Sequence, residues 1–418
     1  MNQLKKVAAV GGAVCLVACW PLVVGQIAER VFQDNIANIK NQLVTAKVLN
    51  YDRGYLSSHV QTEIQVTDPG LKAQMQNDNL PTSWILNSDV KHGLFSIDAV
   101  TQLDNQPDEP LKIVTQTQLN GNTHFEIDSQ VAHYQGTTWS MTSTPMSLSG
   151  DVTTLGEVDY KLDIPSVQFS HADLQINLTN LYGNGQGKKE KGFWIGSQTL
   201  QVDKMVMSDD SELGNFTLEK VGYQNTSSMD ADRARYDTRQ QFNIAKISAQ
   251  DGVVEHLNVI FSMGQLDVDS LAKIAKILEH YTDITPADAQ SLQQALDQLV
   301  TKGFSMALEQ LDIGLAQGQI ESKVDLKLPA EDMQATPQDP LEVVKKLTGH
   351  VESQVPKAVA DAFPVLRQGV DELVTMKMMQ ENGDAYQMNA TVQDGDLVFE
   401  SGKKVPLMVI LMSVMMQM

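Results

Sequence analysis

From Tyr51 onward, apolar and polar residues alternate with a period of two, the mark of strands with one dry and one wet face. Val60, Thr62, Ile64 and Val66 alternate with His59, Gln61, Glu63 and Gln65. Ile113, Thr115, Thr117 and Leu119 alternate with Lys112, Val114, Gln116 and Gln118. After Asn120-Gly121-Asn122 the pattern resumes at Phe125, Ile127, Ser129 and Val131. Asn-Gly between two alternating runs is a hairpin signal, because both residues tolerate the positive φ of a tight turn. Further alternation at Val158, Tyr160, Leu162 and Ile164, and around Leu200 and Val202, extends the same reading. The pattern predicts a long, largely antiparallel, twisted sheet with one apolar face.

Helical periods interrupt this pattern. Residues 29–48 contain no Pro or Gly and space Val31, Ile36, Ile39 and Leu43 as a helix would. Ser270 is a candidate cap for a helix carrying Leu271, Ile274, Ala275 and Leu278. Thr285-Pro286-Ala287-Asp288 opens a second helix, whose stripe is Leu292, Ala295, Leu296, Leu299 and Val300 and whose stop is Gly303. Strands resume at Ile320, Ser322, Val324, Leu326 and Leu328. Asp339-Pro340-Leu341-Glu342 then has the spacing of a capping box. A helix is predicted over 356–367, loosened by Pro364, followed by strands over 373–380, 386–393 and 396–400. Asn382-Gly383 and Asp394-Gly395 supply the turns.

Fold class is therefore α+β, mainly β, with a helical insert. The layout is an N-terminal segment 1–28, a helical linker 29–50, a β-rich body 51–266, the insert 267–310 and a C-terminal β/α part 311–418 that completes the sheet. The apolar, methionine-rich tail 405–418 is too short to span a bilayer as a helix. It suits a last strand or helix over the sheet, or a membrane-surface or partner contact.

Lys5 and Lys6 precede an uncharged run over 7–25, long enough to cross a hydrocarbon core of ~30 Å with the basic end in the cytoplasm. An uncleaved transmembrane helix is the leading reading. Lipidation at Cys19 is the alternative, because Leu16-Val17-Ala18-Cys19 has the form of a lipidation box, and simple cleavage comes third. The expected location is the bacterial inner membrane, single-pass, with the body in the periplasm. Both cysteines, Cys15 and Cys19, lie in this run, so the body can hold neither a disulfide nor a thiolate zinc site.

A net charge of −21 excludes nucleic acid as a partner, since phosphate contact needs a basic surface. The one basic run, Gly187-Lys188-Lys189-Glu190-Lys191, follows Gly183-Asn184-Gly185-Gln186 and reads as an exposed loop. Searching the remainder for chemistry finds little. The eight histidines form no His-x-His pair and no His-Glu-x-x-His helix. There is no Gly-x-Ser-x-Gly elbow, and the glycine run fails the phosphate-loop pattern at both ends. No cofactor, metal site or catalytic residue is expected.

Tyr51-Asp52-Arg53-Gly54-Tyr55-Leu56-Ser57-Ser58 stands directly before the first alternating strand. With the basic N-terminus and a later Asp89-Val90-Lys91-His92-Gly93-Leu94-Phe95, it resembles the YdgA family of bacterial envelope proteins, which carry a domain of unknown function. Asn382-Gly383-Asp384-Ala385-Tyr386, Asp394-Gly395-Asp396-Leu397 and Gly402-Lys403 resemble that family's closing strands. Leu94 stands where the family often has proline. The resemblance implies an inner-membrane anchor, a periplasmic body and no catalytic residues. It marks Tyr51, Arg53, Gly54, Ser57, His92 and Gly93 as motif positions of structural character. At the level of fold the pattern also resembles AsmA-type β-groove proteins, which implies lipid handling.

The functional expectation is a non-enzymatic envelope protein whose apolar sheet face binds lipid or another apolar ligand. A scaffold or assembly factor, acting through sheet edges or the methionine-rich tail, is the alternative. A hydrolase, which would need a histidine buried with carboxylates, comes third. Expected partners are the inner membrane through residues 7–25, and a lipid or envelope protein on the body, with a homodimer as a further option.

Overall fold

The computed structural model describes residues 43–104, 111–209, 214–250, 252–278, 285–330 and 340–410. The N-terminal segment, Cys19, most of the linker and the end of the tail lie outside them. Among the described residues no helix is long and apolar enough to cross a membrane. Two units are distinguishable, Met1–Gln186 with Met205–Gly214, and Gly187–Lys204 with Asn215–Met418.

In the first unit β1 (Val44–Arg53), β2 (Ser57–Val66), β3 (Ser83–His92), β4 (Ser96–Leu103), β5 (Leu111–Gln118) and β6 (Thr123–Ser129) pair in sequence order, all antiparallel. The hairpin β7 (Ala132–Gln135) and β8 (Trp139–Ser143) is then bypassed, because β6 pairs with β9 (Met146–Val152). Strand β10 (Glu157–His171) runs along β9 with its first half and along β8 with its second. The alternating pattern survives across the whole ladder. One rung reads Tyr51, Val60, Ser88, Thr101, Ile113, Ile127, Leu148, Leu162. The next reads Ser58, Val90, Ala99, Thr115, Phe125, Gly150, Tyr160.

Residues 44–50 are strand, not the end of a helical linker. Val44, Ala46 and Val48 pair with Val66, Ile64 and Thr62, so a ladder to β2 overrides the helical spacing. A bulge at Leu49 bends β1 and keeps Val48 and Tyr51 on the same apolar face. The one helix described in this unit, α1 (Pro69–Asn77), starts where the Asp68 carboxylate accepts the Leu71 N–H at 2.6 Å.

The glycine-rich segment predicted as a loop is the second half of β11 (Leu174–Glu190). A Cβ at Gly185 would lie 2.5 Å from the Tyr160 ring, and one at Gly187 would lie 2.9 Å from the Trp194 ring. These glycines admit aromatic rings lying flat on the strand. The actual turn is Lys191-Gly192, both at positive φ, leading into β12 (Phe193–Ser208).

The second unit is a meander in which β13 (Phe216–Met229), β14 (Arg235–Ala249), β16 (His256–Asp267), β17 (Phe304–Leu315), β18 (Gly318–Leu328), β19 (Thr348–Pro356), β21 (Ala385–Gln393), β22 (Asp396–Phe399) and β23 (Lys404–Pro406) are antiparallel neighbours. Short strands β15 (Gly252–Val254) and β20 (Gln380–Asn382) add to β14 and β21. Between β16 and β17 lie α2 (Val268–Leu278) and α3 (Pro286–Lys302). The cap of α2 is Asp267, whose carboxylate accepts the Ser270 N–H at 3.0 Å and its hydroxyl at 2.6 Å, so Ser270 is a buried partner and not the cap. Thr285 and Asp288 form the reciprocal capping box that opens α3.

The insert ends at Lys302, earlier than residue 310. Gly303, at φ 71, turns the chain so sharply that a Cβ there would meet the Leu328 carbonyl oxygen at 2.6 Å. The helix expected over 356–367 is two, α5 (Lys357–Ala362) and α6 (Pro364–Thr375). Pro364 occupies the first turn of α6, where its missing N–H costs nothing. Leu366, Val370, Leu373 and Val374 then share one buried helical face, so 373–375 are helix and the strand predicted there shrinks to β20. Helix α4 (Pro340–Lys346) follows the Asp339-Pro340 signal. After β23 a helical turn over 407–410 puts Leu407 into the cluster of Val344, Ala390, Val392, Leu397 and Phe399.

Candidate functional site

The motif positions gather at one end of β1–β4. Gly54 N–H donates to the Ser57 carbonyl at 2.8 Å, and Gly93 N–H donates to the Ser96 carbonyl at 2.9 Å. A Cβ at either glycine would sit under 3.0 Å from that same carbonyl oxygen, 2.9 Å at Gly54 and 2.7 Å at Gly93. The two motif elements are thus the same Gly-x-x-Ser hairpin turn built twice, and glycine is needed for close approach. The His92 N–H donates to the Leu56 carbonyl at 2.8 Å and ties the turns together.

Below the turns, Ser58 Oγ and His92 Nε2 are 2.9 Å apart, both side chains almost fully buried. Ser58, not Ser57, is the inward residue. Counting in twos from Val66 back through Val60 reaches Ser58, so the signal was present in the alternation. Tyr51 packs with Val60, Val90, Ala99 and Ile97 beside this pair, and Arg53 lies exposed at the end of β1. Nδ1 of His92 has no hydrogen-bond partner among the described residues. A serine activated for attack needs a base oriented by a third group, and among the described residues none is hydrogen-bonded to His92 Nδ1. The pair holds two turns in register.

A larger feature lies in the second unit. Rungs of apolar residues cross much of the meander, broken by Gln240 on β14 and by Ser322 and Ser353 on β18 and β19. One reads Ile244, Leu257, Ile313, Ile320, and a second reads Tyr223, Phe242, Val259, Leu311. A third reads Phe261, Leu308, Val324, Val351, Ala390, Phe399. The reverse face carries Asn243, Asn258, Asp312, Glu321, Gln354 and Gln387. Helices α5 and α6 cover the apolar face at Ile320, Val355, Tyr386 and Met388, while α4 and the turn over 407–410 cover it at Ala390, Val392 and Leu397. Helices α2 and α3 pack on each other and against β16. Between these covers Phe242 and Met306 remain 37% exposed.

Beside α6 the cover leaves a cleft of about 650 Å³, bordered by Leu315, Val355, Phe363, Leu366, Val370 and Met388, with Ser353 as its polar exception. Its size falls within the ~300–1,000 Å³ of small-molecule sites. Of the strand lining, Met388 lies in a run read from alternation, whereas Leu315 and Val355 lie in β17 and β19, which no such run singled out. Phe363 and Leu366 fall in the helix predicted over 356–367, and Val370 lies past its predicted end because the helix runs on to Thr375.

A family model for a bacterial protein of unknown function, DUF945, matches residues 4–408. The chain belongs to the DUF945 family. No curated protein and no solved structure matches it. The DUF945 match takes in both units, and therefore both the doubled Gly-x-x-Ser turn and the apolar cleft.

Elsewhere in this DUF945 chain the charged clusters are exposed. His124 Nδ1 meets Asp151 at 3.0 Å and Nε2 meets Glu126 at 3.5 Å. Its hydrogen bond to the Asp151 carboxylate chiefly raises its pKa above the ordinary 6.5, against an opposing effect of burial and with a further rise from Glu126. Among the described residues no three His, Cys, Asp or Glu side chains converge as a metal site would require. Buried Asp267 pairs with Lys302 Nζ at 2.6 Å. Burial pushes its pKa up, but the bonds from Lys302 and Ser270 outweigh this and hold it below the usual carboxylate value. Arg235, which donates to the carbonyls of Gln265, Lys302 and Gly303, completes a clamp at the root of the helical insert.

Proposed function

We propose that this chain is a non-enzymatic, inner-membrane-anchored periplasmic protein that binds an acyl chain of a lipid on the apolar sheet face of its second unit. The observation that carries the reading is the cleft beside α6, apolar on nearly every side, on a sheet whose apolar face also leaves Phe242 and Met306 partly exposed. Hydrocarbon is the ligand such a lining favours, since burial gains about 25 cal/mol per Å² and no charged group in the lining offers a headgroup contact. Compartment and anchor are supported by the Lys5-Lys6 flank, the uncharged run over 7–25 and a body without cysteine. Within the family, the Tyr51–Ser58 run aligns the chain with the YdgA-type envelope proteins it resembles, and the amphipathic sheet with the AsmA-type groove. Native mass spectrometry of the protein freed of detergent is the test. Wild type is expected to carry phospholipid, and Gly369→Leu combined with Met388→Trp, which fill the cleft, to release it. Wild-type protein without any bound lipid would refute the proposal.

A further inference from the structure

Four hairpin tips of the first unit lie at the same end of its sheet. They are the β1–β2, β3–β4, β5–β6 and β9–β10 turns, adjacent in that order because β6 pairs with β9. The His92 N–H bond to the Leu56 carbonyl joins the first two tips. Thr154 N–H joins the last two by donating to Asn122 Oδ1 at 3.3 Å. Hairpin tips are normally polar. Here each presents a bulky apolar side chain to solvent, Leu56 at 58% exposure, Phe95 at 77%, Leu119 at 54% and Leu155 at 80%.

Charge sharpens the pattern. In a chain of net charge −21, the tip segments 54–57, 93–96, 119–122 and 153–156 contain no charged residue. The opposite end of the same sheet mixes exposed Leu43 and Val131 with Asp68, Asp78 and Asp104. With strands ~4.8 Å apart the tips stand about 10 Å from one another, in a row roughly 30 Å long. Packing explains none of the four side chains.

We infer that this row of tips dips into the surface of a lipid bilayer. The occupant follows from the row's shape: a line of separated apolar points, uncharged at the tips themselves, matches the plane of a membrane interface. It follows also from reach. This inference rests on the membrane-anchored reading above, in which residue 25 leaves the bilayer and β1 begins at Val44. The tips lie at the far end of β1, about 33 Å from Val44. The 18 residues over 26–43 extend up to ~60 Å. That is enough to bring the sheet back, tips down, onto the bilayer that holds the anchor.

The test is photolabelling of the full chain in vesicles of zwitterionic phospholipid carrying a diazirine in its acyl chain, with adducts mapped by mass spectrometry. Adducts are expected on peptides bearing Leu56, Phe95, Leu119 and Leu155 as well as on 7–25. In Leu56→Ser, Phe95→Ser, Leu155→Ser the adducts at the unaltered Leu119 tip should fall by about tenfold or more. Those on 7–25 should persist. All three sites are exposed, so the variant's thermal midpoint should match wild type. Adducts confined to 7–25 would overturn the tip proposal and leave the anchor standing. Adducts on the tips without 7–25 would support the tips and refute the anchor, and a chain without adducts would overturn both.

Discussion

The two units use one pattern to different ends. Both are antiparallel ladders with an apolar face, yet on β2–β4 the first sets Ser58, Ser88, Ala99 and Thr101 among its inward positions, where the rungs of β16–β18 in the second use Ile, Leu, Val and Phe. Small and hydroxylated rungs bury little, and among the described residues of the first unit one cluster forms, around Val60, Val90 and Ala99. Its helix α1 contributes no buried residue. Large rungs demand cover, and in the second unit α4, α5, α6 and the turn over 407–410 build two clusters on the sheet. Alternation therefore specifies a two-faced sheet, and side-chain volume on the inward positions decides whether helices must be recruited to it.

That contrast can be broken experimentally. Phe399→Ala in the second unit should cost the most, about 3–5 kcal/mol, because it empties an almost fully buried position within a cluster. Urea unfolding gives the magnitude, and amide exchange should rise in β21–β23 while β2–β4 stay protected. A loss of protection spread evenly over both units would show that they do not fold separately. Asp267→Ala comes next, at roughly 1–3 kcal/mol, since it removes the α2 cap and leaves Lys302 without its buried partner. Its pH dependence has a definite sign. A folded pKa held below the unfolded value gives stability that is present above about pH 4 and is lost as pH falls through the folded pKa. Wild type should therefore lose more stability on acidification than Asp267→Ala.

In the first unit, Ser58→Ala strands His92 in an apolar cluster and should cost about 1–2 kcal/mol, whereas Ser57→Ala should stay within ~0.5 kcal/mol. Equal effects would make the inward register of β2 wrong. The smallest signal belongs to His124. Because the carboxylates raise its folded pKa, their contribution is complete below the unfolded value near 6.5 and disappears as pH rises through the folded one. An NMR titration should place its midpoint above that of a free histidine, and Asp151→Asn should bring it down.

Much of this was legible in the chain. Period-two runs located β2, β5, β6, β10, β18, β21 and β22, and turn chemistry at Asn120-Gly121, Asn382-Gly383 and Asp394-Gly395 located their reversals. Thr285 and Asp288 announced α3. What failed was local reading where a distant neighbour decides. Residues 44–50 are extended because β2 lies beside them, and Gly185 sits in a strand because the Tyr160 ring needs its space. The motif led to the hairpins, where the Ser57 carbonyl closes the turn, while the inward serine beside it, Ser58, is read from parity. The exposure of Leu56, Phe95, Leu119 and Leu155 became meaningful only once pairing placed their turns side by side.

The nearest-neighbour order of the strands has one more consequence, for how the chain acquires its shape. With the β7–β8 detour as the main exception, each strand of the two ladders pairs with one already ahead of it in sequence. Contacts are thus short in sequence separation, which favours fast formation for a β-rich protein. A chain delivered from its N-terminus can add hairpin after hairpin to a growing edge, so each newly arrived strand finds its partner waiting.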